Sequence, residues 1–154
     1  TRGRVSSSFR QGIWITSFIA GDRRVLGMSS GAPGWLEVER IGHGVRAIED
    51  MALVDELAEK GIVLEVCPGS NVTLGIYPSF RDHPIHELDR RGVKVTISTD
   101  DPPFFHTSMA REYEELHRAF DWDEGQFRRI ARQSLDAAFC DADTKAKIAK
   151  LLEA

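Results

Sequence analysis

The chain has 154 residues, enough for one domain with a hydrophobic core, and 42% hydrophobic with 29% charged residues is an ordinary globular composition. Two cysteines, Cys67 and Cys140, are too few for a disulfide framework or a thiolate zinc site, and we expect both to be reduced. No apolar run approaches the roughly 18 residues that cross a bilayer and no signal peptide is recognisable, so we expect a cytoplasmic protein without a membrane partner.

The net charge of −4 is unevenly distributed along the chain. Residues 1–36 contain five arginines, no lysine and one acid, so they carry about +4 while the remainder carries about −8. The arginines are scattered among apolar residues and glycines, which does not predict a phosphate-binding patch, and we expect no nucleic-acid partner. We therefore interpret residues 1–36 as an atypical N-terminal segment, distinct from residues 37–154.

From residue 36 onward, the spacing of apolar residues predicts strands and helices that alternate. In chain order we expect a strand at 38–41, a helix from near Glu49 to Gly61, a strand at 62–66, a loop at 67–71, a short helix at 84–91, a strand at 93–98, and three closing helices at 108–120, 123–139 and 141–152.

This alternation predicts an α/β fold made of parallel βα units. Ligands of parallel α/β folds bind at the carboxyl ends of the strands, and all three strands here run into loops rich in polar residues, glycine or proline. A complete (β/α)8 barrel needs about 250 residues, so three units form either a small open sheet or part of a barrel.

Two adjacent acids, Asp100 and Asp101, stand where the third strand ends. Neighbouring side chains of a strand point to opposite faces, so the two carboxylates could serve different tasks. One could hold a cation while the other accepts hydrogen bonds from a ligand. The alternative is a solvated turn, because Asp-Asp-Pro is favourable turn chemistry.

His43 lies between two glycines directly after the first strand. The flanking glycines tolerate unusual torsions and let a ligand or backbone approach closely. An imidazole at this place could be a ligand, a general base or an electrostatic group, and the alternative is a hydrogen-bonded histidine in a tight turn.

The remaining histidines and Cys67 carry weaker signals. His83 and His86 are three residues apart, but the proline between them favours a loop and helix-start pair over a metal site. His106 could line a pocket or cap the next helix, and His117 fits a solvated helix face. Cys67 could be a nucleophile, although no activating base lies nearby in sequence, which favours a buried small residue.

Four segments taken together resemble the adenosine deaminase family. They are Arg40-Ile41-Gly42-His43-Gly44, Leu64-Glu65-Val66-Cys67-Pro68-Gly69-Ser70-Asn71, His83-Pro84-Ile85 and Ser98-Thr99-Asp100-Asp101-Pro102-Pro103. The resemblance runs from about Leu36 to the C-terminus. It implies that residues 37–154 are the C-terminal three βα units of a (β/α)8 TIM-type barrel plus closing helices, with the barrel incomplete.

The resemblance also implies a zinc-dependent hydrolase that removes the 6-amino group of a purine, with adenosine preferred to adenine. Zinc lowers the pKa of a bound water toward about 7. By the family's motifs, Asp100 resembles the zinc ligand that also accepts a hydrogen bond from the attacking water. Asp101 resembles the residue that hydrogen-bonds the purine ring, and His43 the residue that orients and stabilises the attacking hydroxide. The implied partner is a small-molecule purine nucleoside or base.

The chain departs from the family pattern in two places. The family takes two zinc ligands from a His-x-His motif and a third from a His-Ala-Gly-Glu motif, but no histidine precedes His43 here. We therefore expect residues 1–36 to be foreign to the family, as a frameshift or rearrangement of the coding sequence would make them. Many bacterial relatives carry a larger polar residue in place of Gly69, which predicts a changed pocket lining rather than a changed chemistry.

Asp100 is then the one family zinc ligand present, whereas a catalytic zinc site needs about three protein ligands. We expect the chain neither to hold zinc tightly nor to deaminate purines at a rate typical of the family. One alternative is a non-catalytic α/β fragment of a deaminase, with exposed sheet edges. The other is a different metal-dependent hydrolase of the same barrel superfamily, which does not predict the other three motifs.

Overall fold

A computed structural model describes residues 39–153 of the chain. The atypical segment predicted at 1–36 lies outside the described residues. The elements are β1 (Arg40–Gly42), a 3-10 helix (Val45–Glu49), α1 (Met51–Lys60), β2 (Val63–Val66), α2 (Pro68–Thr73), a 3-10 helix (Phe80–Asp82), α3 (Ile85–Arg90), β3 (Lys94–Ile97), α4 (Pro102–Phe105), α5 (Met109–Phe120), α6 (Glu124–Ala137) and α7 (Ala142–Leu152).

The three strands form one parallel sheet in the order β1-β2-β3. Ile41 pairs with Leu64, and Leu64 pairs with Val95 on the other side, so the register is continuous across the sheet. Consecutive strands that lie side by side and parallel are the pattern of successive βα units. The predicted α/β class with three such units and closing helices is confirmed.

The helices start and stop at residues whose chemistry suits those positions. Asp50 precedes α1, and its carboxylate accepts the N–H groups of Ala52 and Leu53 at 3.1 and 3.2 Å. Gly61 ends α1 at φ 66, a left-handed conformation that costs glycine little. Ser108 and Asp123 cap α5 and α6 in the same manner as Asp50.

The core lies between the sheet and the helices that cover it. Leu53 and Leu57 on α1, Leu88 on α3 and Ile130 on α6 are fully buried with the strand residues. The strand centres are buried because helices pack over them, as in other parallel sheets. Within residues 39–153, no helix combines the length and the apolar character needed to cross a membrane.

One predicted element is wrong. The sequence predicts a loop at 67–71, whereas Pro68–Thr73 form the short helix α2. Proline at the first helical position is favourable because its missing N–H would have no partner inside the helix. A six-residue helix has too little periodicity to be recognised against its Gly-Ser-Asn turn signals.

Candidate active site

His43 leaves the sheet at the carboxyl end of β1 in a left-handed conformation, at φ 58. Its N–H still donates to the Glu65 carbonyl of β2 at 2.9 Å, so the turn remains tied to the neighbouring strand. Gly44 follows at φ 68, and a Cβ there would lie 2.7 Å from a methyl carbon of Leu64. Glycine is therefore required after His43, and the resulting turn holds the imidazole at the strand ends.

Asp100 occupies the corresponding position after β3 and is also left-handed, at φ 60. Its Oδ2 accepts the Ser70 hydroxyl at 2.7 Å and lies 3.5 Å from Nε2 of His43. The side chains of His43 and Asp100 are 16% and 34% exposed, so a ligand at the sheet edge can reach both. The structure thus brings together the residues predicted for catalysis and for metal binding.

Asp101 stands next to this pair but has a different environment. It is exposed, and its carboxylate accepts the N–H of Phe104 at 3.3 Å, which caps α4. Pro102 occupies the first position of that helix. The turn function considered for the Asp-Asp-Pro segment is therefore present, and it leaves one carboxylate oxygen of Asp101 without a bond to the cap.

A buried series of hydrogen bonds lies behind His43, and the sequence analysis did not predict it. Nδ2 of Asn71 is 3.4 Å from Nδ1 of His43, and Oδ1 of Asn71 is 3.1 Å from Nε2 of His83. The N–H of Ile85 donates to the remaining His83 nitrogen at 3.2 Å. Burial, and secondarily the neighbouring His43, lowers the pKa of His83 to about 3, so this ring is neutral near pH 7.

His83 and His86 have separate hydrogen-bond partners in the structure. Both ring nitrogens of His83 are engaged as described above. Nδ1 of His86 accepts the indole N–H of Trp122 at 2.9 Å, and its ring stacks on Phe120. The two histidines therefore serve different parts of the fold.

A second feature missed from the sequence is the contact between Gly69 and Glu112. Glu112 is fully buried, accepts the Gly69 N–H at 2.9 Å and accepts the Thr107 hydroxyl at 2.6 Å. A Cβ on residue 69 would lie 2.1 Å from a carboxylate oxygen of Glu112. The sequence signal for this contact is Gly69 itself, because a glycine in place of a larger residue leaves room for the side chain of Glu112. Burial raises the pKa of Glu112.

The other candidates have structural roles. His106 ends α4 in a left-handed conformation, and its carbonyl accepts Nη1 of Arg111 at 2.9 Å. His117 is exposed on α5 and donates from Nδ1 to the Trp122 carbonyl at 2.9 Å. Cys67 is buried, as expected, and burial raises the pKa of its thiol to about 12, with Asp100 next in effect.

Three side chains at the strand ends lie close enough together to hold a metal ion. One ligand atom each from His43, Cys67 and Asp100 lie within 4.8 Å of one another. Burial disfavours the thiolate form that Cys67 would need as a ligand, so His43 and Asp100 are the more favourable donors of the three. A catalytic zinc site has three protein ligands, so a site built from residues 39–153 alone would need the buried Cys67 thiol as its third donor.

Comparison with known proteins gives a consistent result. The family model described as adenosine deaminase matches residues 14–154. The adenine deaminase of Rhizobium leguminosarum bv. trifolii is 56% identical over 113 residues, which are 73% of this chain and 35% of that protein. The chain therefore spans about a third of the length of the curated relatives it matches. The family match begins inside the predicted atypical segment.

Solved structures give the same placement. The crystal structure of an adenine deaminase from Arthrobacter aurescens matches with a TM-score of 0.72 and 31% identity, covering 75% of this chain and 36% of that one. A cog1816 amidohydrolase from Burkhoderia ambifaria, with bound Zn, matches with a TM-score of 0.66 and 25% identity, covering 75% and 33%.

Proposed function

Since this chain belongs to the adenosine deaminase family, we propose that its site takes part in hydrolytic removal of the 6-amino group of a purine. The observation that carries the proposal is the approach of His43 to Asp100 at the carboxyl ends of the strands. In the reaction, the oxygen of water adds to purine C6, the C6–N bond breaks, and the amino group leaves as ammonia after protonation.

The substrate we propose is adenine, which is converted to hypoxanthine, with adenosine as the second candidate. The sequence motifs alone favoured adenosine. The relative from R. leguminosarum and the structure from A. aurescens are both named adenine deaminase, and these names support the free base. The two purines share the reacting C6 amino group and differ in the ribose on the ring.

Each residue of the proposed site has a role that suits its chemistry. Asp100 is proposed as one zinc ligand and as the acceptor of a hydrogen bond from the attacking water. His43, at the carboxyl end of β1, orients and stabilises the attacking oxygen. Asp101 hydrogen-bonds the purine ring through the carboxylate oxygen that the helix cap leaves free. The ammonia-forming step requires further groups, which the described residues do not supply.

We propose further that the 154-residue chain alone is impaired in this activity. No histidine precedes His43 in the sequence, so the His-x-His and His-Ala-Gly-Glu ligands of the family are absent, and the third donor beside His43 and Asp100 is the buried thiol of Cys67. The second candidate function, a non-catalytic α/β unit derived from a deaminase, rests on this same incomplete set of donors.

Two measurements on the purified chain test the proposed impairment. Elemental analysis after incubation with zinc and dialysis is expected to give well below one zinc per chain. Incubation with adenine or adenosine is expected to release no ammonia above a control without protein. Stoichiometric zinc together with turnover would contradict the impairment and would support a self-sufficient deaminase.

A chimaera tests the proposed site separately from the impairment. In it, residues 37–154 of this chain replace the matching third of the R. leguminosarum adenine deaminase, which supplies the rest of the protein. The chimaera is expected to bind zinc and convert adenine to hypoxanthine. Its Asp100→Ala variant, checked for folding by circular dichroism, is expected to lose this activity.

A further inference from the structure

The buried series of hydrogen bonds behind His43 determines which atom of each partner donates the hydrogen and which accepts it. The fixed point is the backbone N–H of Ile85, which donates to Nδ1 of His83 at 3.2 Å. An imidazole nitrogen that accepts a hydrogen bond carries no proton, so the proton of neutral His83 is on Nε2. That atom therefore donates to Oδ1 of Asn71, 3.1 Å away.

The orientation of the Asn71 amide follows from this donor. Because the His83 proton faces Oδ1 of Asn71, the amide NH₂ faces the other way, toward Nδ1 of His43 at 3.4 Å. An NH₂ group only donates, so Nδ1 of His43 accepts. The proton of neutral His43 is then on Nε2, the nitrogen that lies 3.5 Å from Oδ2 of Asp100.

Burial and packing of Asn71 and His83 preserve these hydrogen-bond directions. Asn71 is fully buried and His83 is 2% exposed, so water does not compete for their hydrogen bonds. Tyr77 packs its ring edge-on to His83 with the centroids 5.0 Å apart, which limits rotation of that imidazole. Since the pKa of His83 is lowered to about 3, the ring keeps a single proton near pH 7.

We infer that Asn71 and His83 are positioning residues that hold the His43 imidazole in the tautomer with its proton on Nε2, facing Asp100. The inference deepens the proposed function and rests on it for its chemical meaning. In this tautomer His43 presents a hydrogen-bond donor to the space beside Asp100. It can therefore stabilise negative charge on an attacking oxygen, but its Nε2 does not accept a proton from that oxygen.

The test is a measurement of histidine tautomers by ¹H–¹⁵N NMR on the 154-residue chain, without metal or substrate. The described histidines supply internal references of both kinds. His86 accepts at Nδ1 from Trp122, so its proton is on Nε2, whereas His117 donates from Nδ1 to a carbonyl. His43 is expected to show the His86 pattern. A His43 signal with the His117 pattern, or with both patterns averaged, would overturn the inference.

Two variants test the origin of the tautomer. In Asn71→Asp, both side-chain oxygens accept, so Nδ1 of His43 is expected to gain a proton while the His86 and His117 signals stay unchanged. In His83→Leu, the Asn71 amide loses its orienting donor, and the single His43 tautomer is expected to become a mixture. An unchanged His43 pattern in folded Asn71→Asp protein would overturn the positioning role. The wild-type spectrum decides the tautomer itself even where a variant fails to fold.

This NMR result is independent of deaminase activity. A confirmed tautomer, together with a folded and zinc-loaded chimaera that releases no ammonia, would disprove the proposed function and leave the positioning role intact. A wrong tautomer in an active chimaera would disprove the positioning role alone.

Discussion

Nε2 of His43 and Oδ2 of Asp100 lie 3.5 Å apart across the end of the middle strand, although the two residues follow different outer strands. Both residues have left-handed backbones, at φ 58 and 60. Such conformations cost a residue other than glycine on the order of 1 kcal/mol and persist where the surrounding structure holds them. Two of them at facing strand ends, on the residues proposed for chemistry, indicate that this turn geometry serves the site.

The backbone strain at Asp100 predicts a difference between two substitutions that remove the same carboxylate. Asp100→Gly relieves the left-handed strain, whereas Asp100→Ala keeps it. Both variants lose the hydrogen bond from Ser70, so that loss cancels in the comparison. We expect the glycine variant to be more stable than the alanine variant by about 1–2 kcal/mol in urea unfolding. Equal stabilities would show that residue 100 is unstrained.

The close contact between Gly69 and Glu112 predicts that Gly69→Ala destabilises the chain by about 1–3 kcal/mol, because the added methyl group overlaps a buried carboxylate. Chemical unfolding measures the loss. Gly125→Ala on the exposed start of α6 is the control and is expected not to destabilise the chain, because alanine forms helices better than glycine.

A double-mutant cycle tests whether the loss of stability in Gly69→Ala comes from Glu112. In a Glu112→Ala background the overlap is gone, so Gly69→Ala is expected to lower the free energy of unfolding clearly less there than in the original chain. The same cost in both backgrounds would show that the damage arises elsewhere, for example in the start of α2.

The lowered pKa of His83 predicts acid sensitivity of the fold. Above about pH 6.5, His83 is neutral in the folded and the unfolded chain, and its contribution to stability is fully present. As the pH falls below that value the unfolded chain takes up a proton, whereas folded His83 does so only near its pKa of about 3. The free energy of unfolding should therefore fall by up to about 1.4 kcal/mol per pH unit from this group.

Urea unfolding at several pH values between about 7 and 5 gives the slope of the unfolding free energy against pH. The part of that slope that is lost in His83→Asn is the contribution of His83. A His83→Asn chain with an unchanged slope would assign the acid sensitivity to other groups.

The two tasks proposed for Asp101 can be separated by Asp101→Asn. Asparagine caps a helix about as well as aspartate, so stability is expected to change by no more than about 0.5 kcal/mol. An amide does not replace a carboxylate toward the purine ring, so KM for adenine in the chimaera is expected to rise roughly tenfold or more, as for loss of a hydrogen bond to a charged group. An unchanged KM would restrict Asp101 to its cap of α4.

Much of the fold follows from local sequence patterns. The spacing of apolar residues and the positions of Asp50 and Gly61 define α1, and the β-branched run 62–66 defines β2 almost to the residue. The helix α2 escaped prediction because its six residues read as a turn and its stability depends on packing that the sequence does not display.

Some residues of the site could likewise be predicted from the sequence and others could not. His43 and Asp100 could be identified because each directly follows a predicted strand, where parallel folds bind ligands. The partners behind them could not, since Asn71 and His83 meet through loops whose path depends on the whole fold. Glu112 reaches Gly69 from a helix far along the chain, a contact that no local periodicity encodes.

The proposed roles of His43 and Asp100 are tested by the rate of ammonia release from adenine by the chimaera and by its His43→Ala and Asp100→Ala variants, with zinc content measured on the same samples. We expect turnover by the chimaera, a loss of roughly 10²–10³-fold for His43→Ala with zinc retained, and loss of both zinc and turnover for Asp100→Ala. A folded, zinc-loaded chimaera that releases no ammonia, or variants as active as their parent, would contradict these roles.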